Sequence, residues 1–500
     1  MRNSIIVFLC LALPGTLAAQ THDIVRSTVR ARDIIARAVD SMGGFPALQS
    51  LGVVYREMEG IRTDEGQGPR PVARGTSEPA PVNRPRLSVW TDAMGQRFVQ
   101  VLRDTILGGQ PIHWWYAYGA SEGFFADAVF RTMSRRSAAQ MARSIPGALR
   151  NFAEGVMVSL VGRRSSARWV GTAASAGRRY DVVTFADGDG SQVAVWFDAA
   201  SGLPERTESF GGSPVTGEGP RERRFLEWRQ VGNARLPAVY EDHVNGVLLQ
   251  RLRETIVRPG SVIPDSMTAA PPWPAPFTSG PLTARELSSG VAAITGSYNS
   301  LVVAFDTFSV VVELGSSPQY AEGVLREARR LFPDRPVRYA VATHFHHDHI
   351  GGMRAAIAEG ITIIAGEHAA GEIRRAALAH QRLMPDSQSR APREPRIEVL
   401  RGSRTLSGGG RTLQLLDIGP NPHAEQMIVA YVPGARVLYE ADMLDLSIPE
   451  GGTPPAGHDT RGLVAAMTRH GLDVGTIVPS HGRIGTLEDL RRATAGRAAP

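Results

Sequence analysis

The segment THFHHDHIGG, residues 343–352, constrains the fold of this chain more than any other stretch. An apolar run, Val337–Thr343, predicts a β-strand, and the segment begins where this run ends. Its four potential metal ligands are His344, His346, Asp348 and His349. Side chains alternate in direction along an extended chain, so His344 and His346 face one side and can hold one cation. A turn and helix start then direct Asp348 and His349 elsewhere, which predicts two adjacent metal sites; a solvated polar loop is the alternative.

Three further potential ligands occupy the same kind of position, in a loop that follows a predicted strand. They are His423 after Leu413–Ile418, Asp442 after Arg436–Tyr439, and His481 after Val474–Pro479. Donors at successive strand ends meet along one edge of a sheet. We therefore expect these side chains to converge with the first four.

The segments THFHHDHIGG, GPNPH, YEAD and PSHG resemble, in order and rough spacing, those of the metallo-β-lactamase superfamily. The resemblance covers about residues 282–494 and implies a four-layer αββα sandwich with the metals at one edge. It also implies ligand roles. His344, His346 and His423 would bind the first metal, Asp348, His349 and His481 the second, and Asp442 would bridge them.

Two positions depart from the pattern of that family. Glu313 stands where the family usually has Asp before the first helix, which leaves its supporting role open. Asp442 stands where the zinc β-lactamases of the best-known class have Cys. The chain therefore looks more like the glyoxalase II, lactonase and phosphodiesterase branches, although the fold is compatible with a lactam substrate.

The donor set and the resemblance predict a metal-dependent hydrolase. Two divalent metals, zinc first with iron or manganese as alternatives, would lie about 3.5–4 Å apart and share a water of lowered pKa. The bridging hydroxide would attack an ester, thioester, lactone, lactam or phosphodiester of a small-molecule substrate. Asp348 would orient this hydroxide or pass its proton to the leaving group.

Two other functions stay open. Some relatives of this fold are nucleases, which salt-insensitive activity on small esters would exclude. The chain could instead be an envelope carrier whose first half binds a lipid-like ligand beside a vestigial metal domain. Tight lipid binding by residues 22–270 alone, with the metal half inert, would favour the carrier.

The first twenty residues have the layout of a secretory signal peptide, with Arg2, an apolar stretch at Ile5–Leu17 and small residues at 18–19. A retained membrane anchor is the alternative, which the internal proline and glycine disfavour. No later segment is long enough to span a bilayer. We expect a periplasmic or secreted protein.

Composition limits both ligands and partners. The only cysteine, Cys10, lies in the leader, so His, Asp or Glu must hold any metal in the mature chain. The basic residues are 55 arginines, without a lysine, against 49 acidic residues. They are interspersed with the acids in short groups, so no nucleic-acid partner is expected.

A proline-rich stretch, residues 264–281, divides the chain, because repeated prolines remove backbone donors and oppose regular structure. Residues 22–263 predict a mostly antiparallel, β-rich α+β domain, with a helix at Ala31–Met42, a helical region at 137–161 and a hairpin turn at Asn245-Gly246. Its strand rhythm and the phrase VWFDAASGLPERTES resemble the curved sheet of periplasmic lipoprotein-carrier proteins.

Residues 282–494 alternate strands with helices, which predicts an α/β sandwich rather than a doubly wound sheet. Ser317-Pro318 is expected to begin a helix, and a Thr486–Asp489 capping box the last helix. Glu367–Pro395 and Ile448–His458 are the candidate specificity loops.

The remaining histidines are expected outside the metal site. His347 points away from His346 and is expected in a supporting or surface position. The others in this group are His368, His380, His458 and His470. The aromatic run His113–Tyr116 predicts a buried strand, with a ligand groove as the alternative.

Overall fold

A computed structural model of the protein describes residues 15–63, 66–73, 75–106, 110–119, 121–277, 280–455 and 458–495. Residues 1–14, which include most of the predicted leader and Cys10, lie outside the described residues. Within those ranges, no helix is both long and apolar enough to cross a membrane.

The first half of the chain forms one antiparallel sheet of 13 strands. The strands are β1 Val53–Arg62, β2 Arg86–Asp92, β3 Arg97–Ile106, β4 Gln110–Tyr118, β5 Gly123–Asp127, β6 Thr132–Arg136, β7 Arg168–Ser175, β8 Arg178–Ala186, β9 Gln192–Asp198, β10 Pro204–Ser213, β11 Gly217–Val231, β12 Ala234–Val244 and β13 Val247–Ser261. Their order is β6-β5-β4-β3-β2-β1-β13-β12-β11-β10-β9-β8-β7. The first and last strands therefore pair near the middle of the sheet.

Helices cover one face of this sheet. They are α1 Gly15–Ser41, α2 Phe45–Ser50, α3 Ala138–Leu149 and α4 Ala153–Gly162. In α1 the buried residues Ala31, Ile34, Ile35 and Ala38 recur at helical spacing, so a single apolar stripe packs on the sheet. The predicted helix is present and begins earlier than expected, while the predicted region 137–161 is divided into two helices.

Three local predictions in this half can be compared with the structure. Asn245 and Gly246 have φ values of 51° and 81°, as a tight hairpin turn requires. His113–Tyr116 lies in β4, so the strand is confirmed, but these side chains are only half-buried. The proline-rich stretch contains a short helix, α5 Asp265–Thr268, contrary to the expected lack of regular structure, because Pro264 precedes the helix and removes no helical hydrogen bond.

The second half contains two mixed sheets. The first sheet comprises β14 Thr283–Ser288, β15 Val291–Thr295, β16 Ser300–Ala304, β17 Ser309–Val312, β18 Val337–Ala342, β19 Thr362–Ala365 and β20 Ile397–Val399. The second comprises β21 Ser403–Gly408, β22 Arg411–Asp417, β23 Ile428–Val432, β24 Val437–Glu440, β25 Thr476–Pro479 and β26 Gly485–Thr486. Strands β17 to β20 are parallel, as are β24 and β25, and the other pairs are antiparallel.

Buried apolar side chains from both sheets, among them Val303, Val312, Leu415 and Ile428, form the core between them. Full burial of each such side chain stabilises the fold by about 1.5–3 kcal/mol. Helices pack on the outer faces: α6 Pro318–Leu331, α7 His347–Ile350, α8 Met353–Ala358, α9 Glu367–Ala377, α10 Ser387–Arg390, α11 His458–Arg469 and α12 Leu487–Ala495. The predicted αββα sandwich is confirmed.

The predicted helix starts are also present. Ser317 Oγ accepts the backbone N–H of Tyr320 at 3.3 Å, and Thr486 and Asp489 cap α12 reciprocally. The stretch Glu367–Pro395, expected as a loop, instead contains α9 and α10.

Candidate metal centre

The ends of β18, β22, β24 and β25 meet at one edge of the sandwich and carry the predicted ligands. Two glycines of THFHHDHIGG let the chain turn there in close contact with the loop after β17. A Cβ atom on Gly351 would lie 2.1 Å from the Ser316 carbonyl oxygen, and one on Gly352 would lie 2.3 Å from that of Leu314. Only glycine leaves room for this approach.

One group of donors, which we call the first cluster, consists of His344, His346, His423 and Asp442. Their ligand-capable atoms all lie within 4.8 Å of one another. The histidine nitrogens His344 Nε2, His346 Nδ1 and His423 Nε2 are buried and have no hydrogen-bond partner among the described residues other than the nearby Asp442 carboxylate. An unsatisfied buried polar atom costs about 1–3 kcal/mol, so these nitrogens are poised for a cation.

A second group, which we call the second cluster, consists of Asp348, His349 and His481. His349 Nε2 is also buried, lies 3.5 Å from Asp348 Oδ2, and has only the Asp348 and Asp442 carboxylates as partners in the described part of the chain. The side chains of Asp348 and His481 are each 28% exposed, whereas those of His344 and His349 are fully buried. The centre therefore opens to solvent on the side of Asp348 and His481.

Asp442 lies between the clusters. Its Oδ2 is 2.9 Å from His349 Nε2 and 3.1 Å from His423 Nε2, and its Oδ1 is 3.0 Å from His481 Nε2. The residue has a φ of 60°, a conformation that costs a residue other than glycine about 1–3 kcal/mol. The structure thus brings all seven predicted ligands together, and one strained turn directs the shared carboxylate to both groups.

Glu313 forms hydrogen bonds that reach a ligand of each cluster. Its Oε2 lies 3.2 Å from His349 Nδ1, and its Oε1 accepts the backbone N–H and the hydroxyl of Thr343, each at 2.7 Å. Thr343 Oγ1 in turn lies 3.0 Å from His344 Nδ1. Since these acceptors take the Nδ1 protons, it is the Nε2 atoms of His344 and His349 that face the centre.

His346 is oriented from the first domain. Its Nε2 lies 2.9 Å from the carbonyl oxygen of Gly68, which leaves Nδ1 facing the first cluster. Gly68 belongs to the segment between β1 and β2, so the first domain takes part in this site.

Burial and neighbouring charge set the protonation of the centre. Burial, reinforced by the neighbouring imidazoles, lowers the pKa of His344 and His346 well below the usual range, so both are neutral. Burial would also lower the pKa of His481, but the Asp442 carboxylate outweighs it and raises that pKa to about 9. Burial would raise the pKa of Asp442, but His349 and His481 hold it well below the ordinary value.

Tyr298 was missed by sequence reasoning. It lies between β15 and β16, and its ring packs on His349 and His481 with centroid distances of 5.8 and 4.8 Å. Its hydroxyl lies 3.4 Å from Asp348 Oδ2, and burial, followed by the Asp348 and Asp442 carboxylates, raises its pKa. No local motif marks Tyr298 in the sequence, because its proximity depends on the pairing of β15 with β16.

The other histidines lie outside both clusters. His347 Nε2 is 3.3 Å from an Arg375 nitrogen and 3.7 Å from Glu372 Oε2, so its side chain contacts α9 rather than either cluster. His368 lies in α9 and stacks edge-on against Phe345. His380 and His470 follow α9 and α11, and His458 begins α11.

An αββα sandwich with a buried His and Asp donor set at its edge defines a metal-dependent hydrolase domain. Residues 293–481 match the family model of the metallo-β-lactamase superfamily. This part of the chain is a hydrolase domain of that superfamily, with a candidate His-rich metal site, while the first domain is unidentified.

Solved structures of that family align with the same part of the chain. A metallo-β-lactamase from Pontibacter korlensis is 19% identical, with 43% of this chain and 97% of that chain covered and a TM-score of 0.33. The mono-zinc form of one from Pseudomonas aeruginosa is 20% identical (44% and 95% covered, TM-score 0.33). One from Hirschia baltica is 20% identical (43% and 97% covered, TM-score 0.34). The search of curated proteins found no match.

Proposed function

We propose that this protein is an exported hydrolase that holds two divalent metal ions and cleaves an ester, thioester, lactone, lactam or phosphodiester of a small-molecule substrate. The observation that carries the proposal is the convergence of seven donors at one sheet edge, with four buried imidazole nitrogens that face the donor cluster itself and have no hydrogen-bond partner outside it in the described structure. Cations bound there would polarise the scissile carbonyl or phosphoryl group and activate water for attack.

The residues of the chain divide the work. The first cluster supplies the neutral imidazoles of His344 and His346 together with His423, and Asp442 supplies a carboxylate to both clusters. Asp348 is the proposed catalytic residue because it is partly exposed and held by hydrogen bonds on both oxygens. In that position it orients the attacking water or transfers a proton to the leaving group.

Zinc is the proposed metal, because five imidazoles and two carboxylates suit it and the mature chain offers no thiolate. Iron and manganese accept the same donors and would be distinguished by elemental analysis. Export is proposed from the leader at residues 1–20, and cell fractionation followed by N-terminal sequencing of the mature protein tests it.

The test of the function is metal analysis and a hydrolase substrate panel on the full mature chain. We expect about two transition-metal ions per chain, and hydrolysis that a chelator abolishes and added zinc restores. Asp442→Ala should lose hydrolysis, whereas Asp306→Ala, at an exposed position, should retain it. A wild-type protein without stoichiometric metal, or an active Asp442→Ala variant, would overturn the proposal.

A further inference from the structure

A segment of the first domain, Gly66–Arg70, crosses to the metal-binding edge of the second. It follows β1 and is anchored at two points. The Gly66 carbonyl accepts the backbone N–H of His347 at 3.1 Å, and the Pro69 carbonyl accepts that of Glu425 at 3.1 Å. Arg70 also forms an ion pair with Glu425. The segment is therefore fixed to both loops that carry first-cluster histidines.

Between these anchors, two groups of the segment contact predicted ligands. The Gly68 carbonyl oxygen lies 2.9 Å from His346 Nε2, and Gln67 Nε2 donates to Asp348 Oδ1 at 2.5 Å. His346 is fully buried, so the Gly68 carbonyl is the acceptor available to its Nε2 proton in the described structure. Gln67 fixes one oxygen of Asp348 while Tyr298 approaches the other.

We propose that Gly66–Arg70 is part of the metal centre, with Gly68 and Gln67 as positioning residues for His346 and Asp348 respectively. This inference rests on the proposed dinuclear hydrolase. The Gly68 carbonyl selects the His346 tautomer whose Nδ1 lone pair faces the first cluster, and the Gln67 amide orients a second-cluster carboxylate. The first domain therefore sets metal affinity, and each of the two residues acts on a different cluster.

Partners of this kind, which bind ligands rather than the metal, change metal affinity by about 10–100-fold when they are removed. The effect should be specific to one cluster, because Gly68 contacts a first-cluster ligand and Gln67 a second-cluster ligand. A Gln67 substitution that merely destabilised the fold would weaken both clusters together.

Substitutions of Gly66 and Gln67 test the proposal. A Cβ atom on Gly66 would lie 2.2 Å from His347 Nδ1, so Gly66→Ala forces the segment away from its anchor. Adding His347→Ala removes that clash and should restore docking. Gly162→Ala, where a Cβ atom meets nothing within 4 Å, is the matched control. Gln67→Met keeps the length of the side chain but removes the amide donor.

The experiment is a Zn²⁺ titration of each full-length apoprotein against a chromogenic chelator, with His423→Ala and His481→Ala used to assign the two binding steps. We expect Gly66→Ala, which displaces Gly68 and Gln67 together, to weaken both steps about 10–100-fold, and the Gly66→Ala/His347→Ala double variant to recover both. Gln67→Met should weaken only the second-cluster step. Gly162→Ala should bind as the wild type does. Thermal unfolding of each apoprotein checks that the variants are folded.

The experiment distinguishes failure of this inference from failure of the proposed function. If the wild type binds two Zn²⁺ ions and hydrolyses substrate while Gly66→Ala and Gln67→Met bind Zn²⁺ equally well, this inference is wrong and the proposed function stands. Equal weakening of both steps by Gln67→Met would also overturn it. If the wild type binds no Zn²⁺, the proposed function fails and the inference fails with it.

Discussion

Glu313 Oε2 lies 3.2 Å from His349 Nδ1, and through Thr343 the same carboxylate also orients His344. One acidic side chain therefore fixes a ligand of each cluster. Its φ of 65° is, like that of Asp442, in the left-handed region. The strained backbone at both positions therefore serves the geometry of the metal centre rather than the stability of the fold.

Substitution of Glu313 by Gln should weaken metal binding at the second cluster. The Gln amide nitrogen is a donor and cannot accept the His349 Nδ1 proton if its oxygen keeps the contacts with Thr343. His349 would then favour the tautomer with a proton on Nε2, which cannot bind a cation. We expect a loss of about 10–100-fold in Zn²⁺ affinity, measured by chelator competition. Affinity equal to that of the wild type would show that Glu313 does not select the tautomer.

Tyr298→Phe should lower kcat with little change in KM or metal content. A tyrosine hydroxyl is protonated at neutral pH, and burial raises the pKa of Tyr298 further, so it can donate to Asp348. At 3.4 Å this hydrogen bond is long, so we expect it to contribute about 0.5–1.5 kcal/mol, which corresponds to roughly a twofold to tenfold loss in kcat. Tyr431→Phe, which loses only a bond to the Asp473 carbonyl, is the matched control. An unchanged kcat in Tyr298→Phe would remove this residue from the mechanism.

Zinc affinity at the second cluster should rise with pH up to about pH 9. Asp442 raises the pKa of His481 to about 9 from an ordinary 6.5, so in the metal-free protein a proton competes with the metal at neutral pH. The ion pair stabilises the apoprotein fully below about pH 6.5, and this contribution is lost as the pH rises through 9. Burial would lower the pKa of His349, but the Asp442 and Asp348 carboxylates hold it well above the ordinary value. We expect affinity to increase by at least about tenfold per pH unit, because His481 releases a proton and His349 releases another. Zinc titrations across this range test it, and a plateau near pH 7 would contradict it.

Asp386→Ala should destabilise the second domain by about 3–5 kcal/mol, because it leaves the buried Arg354 without its charge partner. Arg354 Nε and Nη2 donate to the two carboxylate oxygens at 2.5 and 2.8 Å, and the two side chains are 1% and 2% exposed. Arg253→Ala breaks an exposed pair and should cost at most about 1 kcal/mol. Urea unfolding of both variants provides the comparison, and similar losses would refute the argument.

The sequence could predict the donors because each one lies in the loop or turn that follows a strand of the sandwich. The hydrophobic periodicity and the length of each apolar run locate β18, β22, β24 and β25 in the sequence. The fold then brings the ends of these strands together. Glu313 was also visible, but its role depends on the reach of its side chain to Thr343 and His349. That reach is a tertiary distance, which the spacing of residues along the chain does not determine.

Two features escaped prediction for different reasons. Glu367–Ala377 carries buried residues at helical spacing, Ala369, Ile373 and Ala376, so its periodicity could have revealed α9. Gln67 and Gly68 lie in a glycine- and proline-rich stretch without any periodic signal. Their contacts span two domains and about 280 residues of sequence, beyond the range of local reasoning.

The central pairing of β1 with β13 bears on how the active protein matures. Tyr55 pairs with Arg258 and Arg62 with Gln250, so β1 gains this neighbour only after about 200 further residues have emerged. The Gly66–Arg70 segment follows β1 directly, and its docking partners come later still in the chain. The ability to retain metal would therefore arise late, after both halves have been synthesised. A chain truncated in its second half would lack a complete metal centre.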